Sequence, residues 1–522
     1  MSHSITCTTD TVSLRFAPPY TLPDYEVFIR SKKIPEARIE FVRRDVAYTV
    51  TAPARWASVL GIDAPAESTR AYEPAQHLFD YQRWIVTRAI KARRFAVWAD
   101  TGLGKTAMFL DWARHVSDVT AGRILIFSPA QIIEQTRQEA AHFYGAALPI
   151  ERLESREEIA EWCKLPGPGI AITNYEKMIP GVMDELRWLA GVALDESSIL
   201  KAGGNGVIKW NLTSSCRGIP YKLSLTATPA PNDMDEYAAQ GGFLEVMTNE
   251  GAMLCTWYTK DKHSEWYIKP HALRSFYEWM ATWSIYLRNP ARFGFGDNLK
   301  DLPAPELEII EVPQTDEQSV AAMEVKAEGG DAFTEMRMGV VERTKLSEIA
   351  KGFVYVGEGK TRTTTRIASH KPRVVAKETR AMVRQGRQVI IWTLFDAETE
   401  IVLDQLTAAG GIDRISYLTG SVPAKKRQPI IDAFRAGDIR VLVTRADLVG
   451  KGLNFQFATG MVFSGFDDSF EGYYQAVRRA YRYGQKKSVR IVVPYVRELE
   501  GTVWENLMEK QARWEADIAE CE

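Results

Sequence analysis

Lys105 and Thr106 follow two closely spaced glycines in FAVWADTGLGKTAMFLDWA, residues 95–113. A small residue (Ala99), four further residues and then Gly104-Lys105-Thr106 is a phosphate-binding pattern. Gly102 and Gly104 let the backbone of Thr101, Gly102, Leu103 and Gly104 curl so that its N–H groups face an anion, and the helix expected from Lys105 points its positive end the same way. Lys105 would then reach the β- and γ-phosphates of a nucleotide, and the Thr106 hydroxyl would ligate Mg2+. Asp195 and Glu196 close the apolar run GVALDE. Two adjacent carboxylates at the end of a buried strand are costly without a partner. Nucleotide-bound Mg2+ is that partner: Asp195 would hold the metal through water, and Glu196 would orient and deprotonate the attacking water. An isolated DE pair reads as a solvated turn; one strand away from a phosphate loop it reads as chemistry.

Gln475, Arg479 and Arg482 fall at i, i+4 and i+7 of EGYYQAVRRAYRYGQ, one stripe of a helix expected over residues 471–485. Two arginines on one face can stabilise transition-state charge at a γ-phosphate. The plainer reading is a solvated basic face or a DNA-phosphate patch, and Arg478, Lys486 and Lys487 fit that description. Gly450, Gly452 and Asn454 supply a tight loop that a backbone or phosphate can approach closely. Gln82 lies about one helix and one strand upstream of the phosphate loop, and its amide offers the donor and acceptor that suit an adenine edge.

These groups need a scaffold. Apolar runs at 95–99, 123–130, 169–178, 191–201 and 221–233 read as buried strands ending in Ser128, Thr173, Asp195-Glu196 and Thr226-Ala227-Thr228. Alternation with helical stretches makes a parallel α/β sheet, which binds ligands at its strand C-termini. A second α/β pattern starts at Pro372, with strands at 388–395, 438–444, GMVFSG and VRIVVPYV, and a closing helix from Thr502. Residues 242–301 are aromatic-rich and read as helical; their rings are core, or bases stack on them. Residues 317–356 read as helix interrupted at Gly329-Gly330. Lys345, Lys351, Lys360, Arg362 and Arg366 form either a backbone-contacting surface or an exposed loop. Ahead of the first lobe stand a strand (11–16), a short helix (24–33), a hairpin (38–50), a helix (54–60) and a linker (63–76). This N-terminal module either packs on its neighbour or binds nucleic acid through Arg38, Arg43 and Arg44.

The chain has 522 residues, 45% hydrophobic and 25% charged, with net charge −2, which suggests two to four globular domains and excludes a histone-like polycation. Its five cysteines show no CxxC and no metal-ligand spacing, so a disulfide framework or zinc site is not expected. No leader pattern or membrane-length apolar run is present, so the expectation is a soluble, cytoplasmic protein without membrane contact.

The ordered set of motifs resembles superfamily 2 helicases and translocases over about residues 79–496, and more narrowly their Swi/Snf-type, double-stranded-DNA branch. YYQAVRRAYRYGQ carries that branch's Q-x-x-x-R-x-x-R-x-G-Q, alongside GKGLNFQ and DSFEGYYQ. DESSILK and SIYLRNPARFGF are similar to a phage and prophage subgroup. The resemblance implies an α/β fold of two RecA-like parallel-sheet lobes with a nucleotide cleft between them. The first, ATP-binding lobe spans 76–250 and the second, with a helical insertion, 251–500; a helix follows at 501–522, and a small α+β accessory domain precedes at 1–75. It assigns Gln82 to adenine, Thr101 to Thr106 with Gly452 and Asn454 to the nucleotide, and Asp195 with Thr106 to Mg2+. Lys105, Glu196, Arg479 and Arg482 become catalytic. Ser198, Thr226, Thr228 and Gln475 couple hydrolysis to movement, and Ser128, Thr173 and Thr444 touch the nucleic-acid backbone. Three departures stand out. Ser198 replaces the usual His or Asp, Ala99 replaces the first loop glycine, and the stretch 444–454 is longer than the usual motif.

The expected function is an ATP-driven motor on duplex DNA, tracking phosphates without reading bases. The alternatives are an RNA-dependent ATPase, an ATP-binding nucleic-acid scaffold, and the motor subunit of a defence or modification complex. In the last case a partner would bring the nuclease or methyltransferase, for which this chain has no motif.

Overall fold

The computed structural model describes residues 3–7, 11–32, 34, 37–42, 46–53, 71–201, 206–230, 234–247, 250–260, 266–296, 302–327, 335–357, 363–446, 454–482 and 485–521. The chain forms two compact units, Met1–Arg288 with Glu520–Glu522, and Asn289–Ala519. Among the described residues no helix is long and apolar enough to cross a membrane.

The first unit opens with an antiparallel sheet of His3–Cys7, Thr11–Phe16, Ala47–Pro53 and Arg38–Val42, in that spatial order. Val12, Leu14 and Phe16 alternate inward, as a half-buried strand requires. The helix Leu22–Ser31 brings Phe28 edge-on to Phe16 at 5.8 Å. The expected hairpin therefore forms; its turn with Arg43 and Arg44, the helix expected over 54–60 and most of the expected linker lie outside the described residues. The described end of that linker is anchored: Tyr72 donates its hydroxyl to the buried Asp111 carboxylate, and Ala75 N–H follows at 3.3 Å.

The larger sheet has seven parallel strands in the order Ser284–Leu287, Arg94–Ala99, Tyr221–Thr226, Gly191–Asp195, Arg123–Ser128, Gly169–Asn174, Ile150–Arg152. The five strands expected from apolar runs are all present. Both faces are covered, so the runs are continuous rather than alternating. The two edges are additions. Ser284–Leu287 pairs with Arg94–Ala99 and corrects the placement of residues from 251 onward in a second lobe. Its aromatic neighbours are core: Trp98 meets Trp283 at 5.5 Å and Tyr237 at 5.1 Å, and Trp279 lies 5.2 Å from Trp283. All three tryptophans are fully buried and have no face to offer a base.

The second unit is built on six parallel strands in the order Glu306–Glu311, Arg490–Tyr495, Gly460–Phe463, Val389–Thr393, Val441–Arg445, Ile415–Leu418. Ile390 and Trp392 serve one core layer, Val389 and Ile391 the other. The expected α/β fold class is thus present: two parallel-sheet α/β units, the first preceded in the chain by a small α+β module. The helical reading of 317–356 needs correction at its end. Helices Asp316–Ala327 and Glu335–Ala350 give way at Gly352 (φ +90°) to the strand Phe353–Val356, paired with Thr363–Arg366. The β-branched and aromatic FVYV favours that outcome. The basic surface expected here is largely committed elsewhere. Lys351 is buried on Glu500 at 2.8 Å, Lys345 donates to Tyr355 O, and Arg366 pairs with Asp404; Lys360 and Arg362 lie outside the described residues. The closing helix is Arg497–Cys521 and starts earlier than expected, because Glu500 accepts Lys351, Lys371 and the Val496 N–H.

Candidate nucleotide-binding site

The strand Arg94–Ala99 delivers the chain into the loop expected to bind phosphate, and Asp100 N–H donates to Leu287 O of the edge strand at 2.9 Å. Gly102 (φ +84°) and Gly104 (φ +76°) adopt the left-handed conformation that turns the loop, and the helix Lys105–Thr120 begins immediately. The Lys105 ammonium donates to Ala99 O at 2.9 Å and lies across the loop. Thr106 is half-buried in the first helical turn, where N–H groups without intrahelical partners collect.

Gln82 is 4% exposed and locked to this loop. Its Nε2 donates to Leu103 O at 3.0 Å and to Tyr81 Oη at 3.3 Å, while Oε1 accepts Phe79 N–H at 2.9 Å. Both amide hydrogens are used, so one Oε1 lone pair is what Gln82 has left for an adenine amine. Tyr81, which the sequence reading passed over, also donates to Leu103 O at 3.0 Å.

Strand Gly191–Asp195 carries the carboxylates. Asp195 is 5% exposed; Oδ2 accepts the Ser128 hydroxyl at 3.0 Å, and its main-chain carbonyl accepts the Tyr175 hydroxyl at 2.6 Å. Burial, reinforced by the Glu196 charge, pushes the Asp195 carboxyl well above the usual carboxylate range; the Lys105 ammonium and the Ser128 bond pull the other way. Glu196 sits in the left-handed region (φ +56°), about 1–2 kcal/mol above the right-handed alternative for such a residue. Its Oε2 accepts the Thr226 hydroxyl at 3.4 Å, and Thr226 Oγ1 accepts Thr228 N–H at 3.2 Å. Thr226, Thr228 and Ser198 are all buried. A residue with no sequence signal, Gln240, braces the following turn by donating to Ser197 O at 2.9 Å.

This donor set suits Mg2+, a hard cation with oxygen ligands. The buried Asp195 carboxylate, whose charge its surroundings resist, would be relieved by a divalent cation, and Thr106 adds a hydroxyl. Among the described residues no group of three or more His, Cys, Asp or Glu could hold a metal.

The three hydroxyls expected on a nucleic-acid backbone are not available to one here. Ser128, Thr173 and Thr444 are each fully buried. Ser128 is spent on Asp195, Thr173 donates to Leu153 O at 2.9 Å, and Thr444 to Leu418 O at 3.2 Å. They sit at the ends of their strands, inside the sheet, and their polarity serves neighbouring strands.

In the second unit the arginine stripe is also corrected. The helix Phe470–Arg478 stops before Arg479, whose carbonyl accepts Phe455 N–H at 2.9 Å. Ala480 turns into the core. Arg479 is 6% exposed, donates to Ala446 O at 3.0 Å and lies 5.8 Å over the Trp392 ring. Arg482 is half-buried in the turn that follows. Arg478 is no solvated face: it lies between the Tyr474 and Tyr481 rings, and burial lowers its guanidinium to about 10. Gln475 donates to Glu471 at 2.9 Å. Asn454 Oδ1 accepts Gln456 N–H at 2.9 Å, while Gly450 and Gly452 lie outside the described residues.

Residues 370–484 match the family model described as the helicase conserved C-terminal domain. The ATP-dependent RNA helicase ROK1 of Pyricularia oryzae is 30% identical over 119 residues, 22% of this chain and 15% of that protein. The SWI/SNF-related matrix-associated actin-dependent regulator of chromatin subfamily A-like protein 1 homolog of Caenorhabditis elegans is 23% identical over 474 residues, 86% of this chain and 63% of that protein. The chain therefore spans less than two thirds of the length of these curated relatives. Among solved structures, the Sulfolobus solfataricus SWI2/SNF2 ATPase core in complex with dsDNA covers 82% of this chain and 90% of that one, at 18% identity and a TM-score of 0.39. The chain is similar to helicases, and its likeness to a SWI/SNF-related protein runs through both units.

Proposed function

We propose that this protein is a Mg-ATP-hydrolysing motor that moves along double-stranded DNA, of the Swi/Snf-type branch and the phage and prophage subgroup that its motifs resemble. The observation that carries the reading is the meeting of Lys105, Asp195, Glu196 and Thr226 at the C-terminal ends of one parallel sheet, where Lys105 acts on the Asp195 carboxyl and Glu196 bonds Thr226. Lys105 binds the phosphates once it leaves Ala99 O, and the loop N–H groups orient them. Bound Mg2+ supplies charge neutralisation at the phosphate oxygens, with Thr106 and Asp195 as its holders. Glu196 takes the proton of the attacking water, and Thr226 keeps its carboxylate in place. Arg479 and Arg482 keep the role of fingers that the resemblance implies for them.

Steady-state ATP hydrolysis without polymer and with linear duplex, single-stranded DNA and RNA tests this, alongside Lys105→Ala and Glu196→Gln. Stimulation by duplex that both variants abolish supports the motor. Absence of turnover both without polymer and with every polymer overturns it in favour of a scaffold. Preferential stimulation by RNA supports the second reading, an RNA-dependent ATPase, which the similarity to an RNA helicase over 119 residues keeps open.

A further inference from the structure

We propose that Tyr175 is a positioning residue for the general base, acting through the peptide bond that joins Asp195 to Glu196; this rests on the ATP-hydrolysing reading above. Tyr175 starts the short turn Tyr175–Met178 that follows strand Gly169–Asn174. Its ring is 4% exposed and stacks on Phe127 at 6.0 Å and 24°. Its hydroxyl donates to the Asp195 main-chain carbonyl at 2.6 Å. Phe127 immediately precedes Ser128, which holds the Asp195 carboxylate from the other side at 3.0 Å. Two neighbouring strands thus grip one residue, one at its side chain and one at its backbone.

The backbone grip has a specific effect. A carbonyl held in place fixes the plane of its peptide, and that plane carries the Glu196 nitrogen. Glu196 has a positive φ (+56°) without being glycine, so its conformation persists only where its surroundings over-determine it. The Glu196 side chain has one long bond to Thr226, 3.4 Å, which is too weak to hold the residue there alone. Tyr175 supplies the stronger constraint. Without its hydroxyl the peptide can rotate, Glu196 can relax to the right-handed region, and its carboxylate swings away from the direction that Thr226 marks. The hydroxyl meets a main-chain atom rather than a reacting group, so Tyr175 positions and does not catalyse. A tyrosine that merely satisfied its own buried hydroxyl would change stability and leave the turnover of folded protein alone.

The test is Tyr175→Phe in the full chain, beside wild type and Glu196→Gln. The expected result is a kcat lowered about tenfold or more, a KM for ATP and an affinity for a fluorescent ATP analogue within about twofold of wild type, and faster amide hydrogen exchange over residues 196–201 without nucleotide. A kcat equal to wild type, exchange unchanged over 196–201, or kcat and nucleotide affinity falling together would each overturn it. If Tyr175→Phe does not fold, Phe127→Leu is read instead, since it removes the ring stack that aims the hydroxyl at Asp195 O: lower kcat at constant KM with faster exchange over 196–201 supports the proposal, and constant kcat with unchanged exchange overturns it. A wild type that shows no turnover, with or without any polymer, overturns the underlying reading; a wild type that turns over while Tyr175→Phe matches it overturns this proposal alone.

Discussion

The Lys105 ammonium rests on the carbonyl of Ala99, 2.9 Å away and six residues back in the chain. The loop between them is thereby closed on itself by the side chain proposed to bind phosphate. Lys105→Ala removes both the internal tie and the phosphate ligand. Affinity for a fluorescent ATP analogue is expected to fall at least about tenfold, the worth of one charge-assisted hydrogen bond, with turnover lost in the assay above.

Gly104 is expected to tolerate nothing larger. A Cβ there would lie 2.2 Å from Gln82 Nε2, at a φ of +76°. Gly104→Ala should push Gln82 off Leu103 O and weaken nucleotide binding about tenfold or more. Gly386→Ala is the control: its φ is +78° with open space around it, so it carries the backbone penalty without a collision. Titration with the fluorescent analogue should show the loss in the first variant and not in the second.

The Asp111 carboxylate on the loop helix is fully buried and accepts from Tyr72, Tyr144, Ala75 N–H and Arg114. Asp111→Ala strands those donors and should cost about 2–4 kcal/mol of first-unit stability, read as an earlier urea midpoint. Proteolysis at residues 71–79, which these bonds hold down, should begin before the rest of the unit unfolds.

Glu500 is 1% exposed between two buried lysines, at 2.8 Å from Lys351 and 2.7 Å from Lys371. Burial alone would raise its carboxyl, but the two ammonium groups hold it below the ordinary carboxylate range. A carboxyl lowered in the folded state stabilises above its unfolded value of about 4.5, and that stability is lost as pH falls through the folded value. Glu500→Gln should destabilise the second unit by about 3–5 kcal/mol at neutral pH. It should also flatten the acid limb of the second unit's thermal stability as pH falls below the ordinary carboxylate value of about 4.5, measured by calorimetry.

The parts of this site that were legible in the sequence share a physical cause. Phosphate loops and strand ends announce themselves because an apolar run of buried strand stops abruptly at a glycine turn or at charge, as at Ala99 and Asp195. Partners are less legible than positions. The polarity of Ser128, Thr173 and Thr444 marked three strand ends, yet nothing local says that each hydroxyl turns inward to a neighbouring strand. The break after Arg478 is hidden for a similar reason: AVRRAYR is compatible with helix, and what ends it is the Phe455 N–H reaching Arg479 O from a distant segment. The strand Ser284–Leu287 is masked by the amphipathic helix Leu273–Trp283 directly before it.

That late strand sets the order in which the first unit can be completed during synthesis. Arg94–Ala99 leaves the ribosome early, but one of its two edges stays open until residues 284–287 have emerged. In the interval the strand that feeds the phosphate loop presents free N–H and C=O groups, a template for pairing with another nascent chain. A fragment ended near residue 250 would keep that edge permanently, and would be expected to aggregate although it contains Lys105, Asp195 and Glu196. Genetic dissection of this protein therefore needs cuts placed after Arg288.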